Sequence, residues 1–376
     1  MADFLNIQKN TPKNDGVCAR QIAFFCAFIL PIYKLVETPS ILSKHAGGDL
    51  LFPALLQFVS QLLAIVPLLI ASSRCKKPLL SFLNEKLGKW SILFYLFYVA
   101  FFLFAAILPL LDLEKFVYAV FYDTSPTFFS FIAFFILSAY ISAKGITSVG
   151  RCADLSLFLF VIPFFALIIM GLFSVDFSHL LPFFEKDFSS IFTAMQRTTP
   201  HFIDTALLLP LIGNLSYQKG DGKKIIGGYA LGASFTLLFL AVFFGIFSSV
   251  SLREHYAFTK IAQHFPVLSV VGRIDLLFVY TLSIILFFYV SFPLQYATDF
   301  SMRLFGPNKR RIFAAAFSVL AFVFVLFCNK YYNTFYQTFS VYLPPVFMVG
   351  SNLIPALLLL IVPKKSKKEK EHAQHT

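Results

Sequence analysis

Three ionisable side chains stand where water is scarce. Lys34 and Glu37 fall in the second half of RQIAFFCAFILPIYKLVETPSILSK (residues 20–44), and Asp204 lies early in an apolar stretch at 199–215. A charge held in such a segment persists where it is paired, binds an ion or small molecule, or passes a proton. Lys34 and Glu37 are spaced i, i+3 and share a helical face. Two readings of them are open. One is an internal ion pair that neutralises both charges. The other is a ligand or proton site in which Lys34 holds a carboxylate or gives up a proton. Tyr33 and Thr38 add hydroxyls to the same stretch. For Asp204 the choice lies between a water-facing charge favoured by the helix macrodipole and a counter-charge to Lys34 or to a ligand's amino group.

The elements that must position these groups are interrupted. A ~30 Å hydrocarbon layer takes about 20 helical residues, so segment 20–44 is long enough to cross it. Pro31 and Pro39 nevertheless remove backbone donors inside that segment. The stretch at 199–215 is short and carries Pro210 and Gly213. Two interrupted segments at matching places in two five-span halves are the sequence sign of an inverted-repeat transporter fold with its site at the breaks.

Composition agrees with a membrane chain. Hydrophobic residues make up 58% of the 376 and charged residues 13%, with a mean hydropathy of +0.77. A soluble chain normally carries about twice that charged fraction. The expected fold is all-α and polytopic, with ten transmembrane helices in one domain at 20–362. A cytoplasmic tail at 1–19 and a basic cytoplasmic tail at 363–376 flank it. The expected spans are 20–44, 50–72, 90–111, 126–143, 155–173, 199–215, 225–250, 266–296, 312–328 and 339–362. Asp112, Glu114, Lys115 and Asp123 are assigned to a loop, 144–154 to a polar connector, and 251–264 to a surface helix. With both termini inside, lysine and arginine favour the cytoplasmic loops by roughly threefold, the bias that topology demands. That bias accounts for most of the net charge of +12 without nucleic acid.

Other candidates are weaker. Arg273 and Asp275 read as packing charges near one end of the eighth span rather than ligand contacts. Asn214-Leu-Ser216 matches a glycosylation acceptor but falls at the cytoplasmic face. His255 and His264 have no third ligand nearby, and no metal or cofactor is expected. The five cysteines lack metal-ligand spacing and read as free thiols. No nucleophile elbow, phosphate loop or HExxH occurs, so no enzyme is expected.

Four stretches carry a family likeness. GITSVGRCADLSLFLF (145–160) places Arg151 and Asp154 in a Gly…Arg-x-x-acid entry to a helix. HLLPFF (179–184) supplies a Leu-Pro segment. Pro200, Phe202, Asp204, Pro210 and Lys219 follow a Pro, Phe, acid, apolar, Pro, Lys order, and Phe265-Pro266 precedes Arg273-Ile274-Asp275. On these residues the chain resembles the spore germination permease family, the B subunits of nutrient germinant receptors, within the amino acid–polyamine–organocation superfamily. It departs from the pattern at Pro31-Ile-Tyr-Lys34, where relatives carry small, glycine-containing sequence, and at Tyr280, near where a tryptophan is common.

The resemblance implies a ten-span, leucine-transporter-like permease in the spore inner membrane. It would assemble with A and C receptor subunits to sense a small nutrient such as an amino acid. Pro31, Tyr33, Lys34, Glu37, Thr38, Phe202 and Asp204 are the expected ligand-binding residues. Arg151, Asp154, Pro210, Gly213, Arg273 and Asp275 are the expected structural or coupling residues. Three function classes stay open on the sequence: a receptor subunit, a proton-coupled amino-acid transporter, and an ion or water channel subunit.

Overall fold

The computed structural model describes residues 17–121, 127–181, 184–264, 275–331 and 342–363, and among these the chain is all helical. The first segment is not one helix. α1 (Ala19–Phe24) passes through a π turn (Phe25–Ile29) into α2 (Leu30–Lys34), and a turn at 35–37 leads to α3 (Thr38–Ala46). Pro39 falls in the first turn of α3, where a missing N–H leaves nothing unsatisfied, and Pro31 follows directly on the π turn within a continuous helical run. The π turn widens the helix just ahead of Pro31, as such turns do where a ladder is disrupted.

Beyond a 3-10 turn at Gly47–Leu50 come α4 (Leu51–Arg74), α5 (Leu79–Leu87), α6 (Trp90–Phe121) and α7 (Thr127–Lys144). α8 (Ile146–Leu172), α9 (Phe188–Thr198), α10 (Asp204–Asn214) and α11 (Asp221–Phe247) follow. The chain closes with α12 (Ala257–His264), α13 (Asp275–Phe305), α14 (Arg310–Lys330) and α15 (Ile354–Ile361). α13 packs along α6 and α8, and α15 packs on α4. α11 lies against α1 and the π turn.

Glycine permits that last approach. A Cβ at Gly228 would stand 2.4 Å from the Ala23 carbonyl oxygen, and one at Gly232 would stand 2.3 Å from the Cys26 carbonyl oxygen. The obstacle is backbone, which cannot turn aside. Close helix approach in an apolar medium depends on such small residues, because hydrophobic burial there supplies little.

Among the described residues, seven helical stretches are long and apolar enough to cross a membrane: Thr38–Arg74, Trp90–Lys115, Ile146–Leu172, Asp221–Arg253, Phe278–Phe305, Pro307–Cys328 and Tyr342–Ile361. Of the other three expected spans, the first is divided at the turn, the fourth is the 18-residue α7, which includes the apolar stretch Ile132–Lys144, and the sixth is an 11-residue helix.

Three sequence expectations need correction. Asp112, Glu114 and Lys115 are not in a loop, because α6 continues to Phe121 and buries both carboxylates. Hydropathy reads any charge cluster as a loop and cannot see a partner waiting in space. Asp123 lies outside the described residues. The polar connector at 144–154 shrinks to Gly145, whose φ of 88° turns the chain in one residue. The surface helix at 251–264 divides into a 3-10 turn and α12, and α12 buries Phe258, Ile261 and Ala262.

Candidate functional site

The turn at 35–37 leaves carbonyls without helical partners. Lys34 Nζ donates to the Leu30 carbonyl at 3.0 Å. The Val36 and Leu35 carbonyls accept from the backbone N–H groups of Ala257 (2.9 Å) and Phe258 (3.3 Å). The first turn of α12 is thus inserted into the break, and each satisfies the other's orphan groups.

A second interruption lies beside it. The chain runs through a 3-10 turn at Thr199–His201, and Phe202 and Ile203 take non-helical angles before α10 begins at Asp204. Here a side chain closes the gap. Gln61 of α4 donates through Nε2 to the Phe202 carbonyl at 2.5 Å, and its Oε1 accepts from Thr205 N at 3.0 Å and Thr205 Oγ1 at 2.8 Å. One turn away on α4, Gln57 donates to the Met195 carbonyl at 2.5 Å and to Thr199 Oγ1 at 3.2 Å.

The two interruptions meet at an ion pair. Lys34 Nζ donates to Asp204 Oδ1 at 2.7 Å, and both side chains are fully buried. Tyr229 of α11 donates its hydroxyl to the other carboxylate oxygen at 3.0 Å. The ammonium lies 5.1 Å from the ring centre of Phe202 and 5.8 Å from that of Phe58, adding cation–π attraction in a desolvated place. Asp204 also begins its helix, where the macrodipole favours a negative charge. Each charge of the pair has an opposite neighbour and a hydrogen bond.

A layer of aromatic and acidic groups adjoins the pair. Tyr33 donates to Asp112 Oδ2 of α6 at 2.5 Å, and its ring stacks on His201 (4.8 Å between centres) and Tyr289 (5.1 Å). Several buried polar atoms there make no hydrogen bond among the described residues: both ring nitrogens of His201, the Tyr289 hydroxyl, Asp112 Oδ1 and the Thr38 hydroxyl. Buried polar atoms are normally paired, and exceptions of this kind gather where a ligand, ion or water belongs.

The structure brings together Tyr33, Lys34, Phe202 and Asp204, with Pro31 buried one turn before the lysine. Glu37 is also buried but does not pair with Lys34; the turn carries it towards the Asp112 side. Pro210 and Gly213 sit further along α10. A Cβ at Gly213 would strike Leu80 of α5 at 2.5 Å, and the Pro210 carbonyl accepts from Asn214 Nδ2 at 2.7 Å. With Asn214 Oδ1 accepting from Arg303 at 2.5 Å, the side chain of the glycosylation-like motif is engaged at both ends.

Arg151 and Asp154 are not part of this cluster. Arg151 is exposed, while Asp154 ties α8 to α1 by accepting from Gln21 (2.8 Å) and Arg20 (3.2 Å). Arg273 lies outside the described residues, and Asp275 is the first residue of α13.

Sequence reasoning does not single out Tyr229, Asp112, Phe58 or the Gln57–Gln61 pair. The glutamines are the readable signal, since two amides spaced i, i+4 in an apolar helix must find partners on one face. A family model described as spore germination protein matches residues 48–333. The chain belongs to the spore germination permease family. In this permease the match contains Asp204, Tyr229, Asp112 and both glutamines, whereas Lys34 precedes it. A search of curated proteins finds no match.

Proposed function

We propose that this permease is the membrane-embedded subunit of a nutrient germinant receptor. It would bind a small amino acid between its two interrupted segments, and occupancy would bias a conformational balance read by A and C subunits. The buried Lys34–Asp204 pair carries the reading. An α-amino acid bears one carboxylate and one ammonium group, the complement of that pair. It can take over both partnerships without leaving a buried charge alone. A sugar or nucleoside offers no charge to either, and a singly charged solute leaves one residue uncompensated, which is strongly unfavourable in a desolvated site. The unpaired polar atoms of His201, Tyr289 and Thr38 offer hydrogen bonds to the rest of such a ligand.

The same reading takes the protein as a ten-helix, 5+5 inverted-repeat fold of the spore inner membrane with both termini cytoplasmic, without cofactor or enzymatic chemistry. Supporting it are two interruptions that lie side by side and the lysine and arginine bias of the loops. A second reading, a proton-coupled amino-acid transporter, draws on the buried carboxylates Glu37, Asp112 and Glu114 near the site.

The test is thermal stabilisation of the purified protein by a panel of amino acids, sugars and nucleosides, with the double variant Lys34→Met/Asp204→Leu as reference. Amino acids should stabilise the wild type and not the double variant. Equal protection of both proteins, or protection by sugars alone, would sink the assignment. Uptake of the bound amino acid by proteoliposomes, driven by a pH gradient, would then replace the receptor reading by the transporter reading.

A further inference from the structure

A cleft of about 290 Å³ opens where α4 (Gln57, Ser60), α9 (Gln196, Arg197) and the segment before α15 (Asn352) converge. Its volume sits at the lower edge of the usual range for small-molecule sites, and its mixed wall is unlike a lipid-facing groove. Gln57 is 2% exposed. Its Nε2 is engaged by Met195 and Thr199, but its Oε1 accepts no hydrogen bond among the described residues. Asn352 accepts through Oδ1 from Gln61 (2.7 Å) and Ser351 (2.9 Å), and its Nδ2 donates to none of the described residues. Gln196, on the rim, makes no side-chain hydrogen bond among them. The cleft therefore offers at least one acceptor and one donor, built in and unused. Among the described residues no carboxylate lines it, and the charged side chain in its wall is the guanidinium of Arg197.

We propose that this cleft is a second binding site, distinct from the Lys34–Asp204 pair, for a small uncharged solute bearing a primary amide. An amide donates and accepts at once, matching Gln57 Oε1 and Asn352 Nδ2. A cation meets no carboxylate among the described residues of the wall. The site also communicates with the first. Asn352 and the Phe202 carbonyl share Gln61 Nε2 as their donor, so an occupant that draws Asn352 towards itself is felt at the interruption preceding Asp204.

Three linear molecules of one length separate the alternatives: glutaramide, glutarate and 1,5-diaminopentane. They are added to the purified full chain at about ten times a millimolar Kd, the range expected for so few atoms. Glutaramide should raise the melting temperature by about 2–4 °C, and the diamine should not. Gln196→Leu, which removes no hydrogen bond of the fold, should leave the unliganded melting temperature in place and reduce the glutaramide shift by at least half. Ser60→Met, which fills the cleft, should abolish the shift. Lys34→Met/Asp204→Leu should retain it, so failure of the amino-acid site and failure of this one are told apart. The proposal is overturned by a shift of equal size with the diamine or glutarate, by no shift with glutaramide, by a shift that survives Ser60→Met, or by loss of the shift in the double variant.

Discussion

The two interruptions solve one problem by different means. At 35–37 the freed carbonyls of Leu35 and Val36 are satisfied by backbone, the first turn of α12. At 199–203 the Phe202 carbonyl is satisfied by a side chain, Gln61. A backbone cap is as rigid as the helix that carries it and is lost only if that helix undocks. A glutamine can change rotamer while its helix stays where it is. The first interruption is therefore held as part of the frame, and the second is held by a contact that can be exchanged. Asp204 lies immediately past the exchangeable one, and Lys34 immediately before the fixed one.

That contrast can be broken deliberately. The largest effect should come from the pair that joins the two interruptions. Asp204→Asn leaves the Lys34 ammonium buried without its counter-charge, which destabilises by about 3–5 kcal/mol. Adding Lys34→Met should recover most of that loss, and a double-mutant cycle on denaturant unfolding in detergent measures the recovery. If single and double variants lose equal stability, the pair is not the joint described above.

Next comes the backbone cap. Ile261→Ala hollows the buried face of α12 and should cost about 2–5 kcal/mol. Hydrogen exchange should show the Ala257 and Phe258 amides losing protection together, while the Thr205 amide keeps its own. A cap that stays protected after α12 is hollowed would remove the distinction. Gln61→Leu is the matching test of the other side. It strands the Phe202 carbonyl and the Thr205 N–H, at about 1–3 kcal/mol, and exchange should now rise at Thr205 and not at Ala257. The smallest effect is expected at Thr38→Val. It replaces a buried hydroxyl that makes no hydrogen bond among the described residues, so the unliganded melting temperature should hold or rise by a degree or two. A fall would place an ordered water or ion on that hydroxyl.

Charges in apolar runs are legible in the sequence, so Lys34, Glu37 and Asp204 stand out by residue type and neighbours alone. Prolines place the first interruption to within a turn, because a missing donor and a ring clash are local facts. The partnerships are less readable. Lys34 is as close in sequence to Glu37 as a helical contact requires, but its partner is 170 residues away, and helical spacing carries no information across a turn at 35–37. Asp112 reads as a loop residue because hydropathy averages over a window, whereas in the fold its Oδ2 meets the Tyr33 hydroxyl, 79 residues away in the chain. Tyr229 escapes notice for the opposite reason, since a tyrosine among glycines in an apolar helix is ordinary until a carboxylate is found facing it.

Gly145 has a mechanical consequence. It alone joins α7 to α8, its carbonyl is held by Gln295 and by Ser148 (2.6 Å), and the Arg310 guanidinium crowds the side where a Cβ would stand. A hinge clamped from two neighbouring helices has no slack. Changing the angle between α7 and α8 at that glycine would break the Gln295 contact or press on Arg310, so the clamp resists bending at this joint.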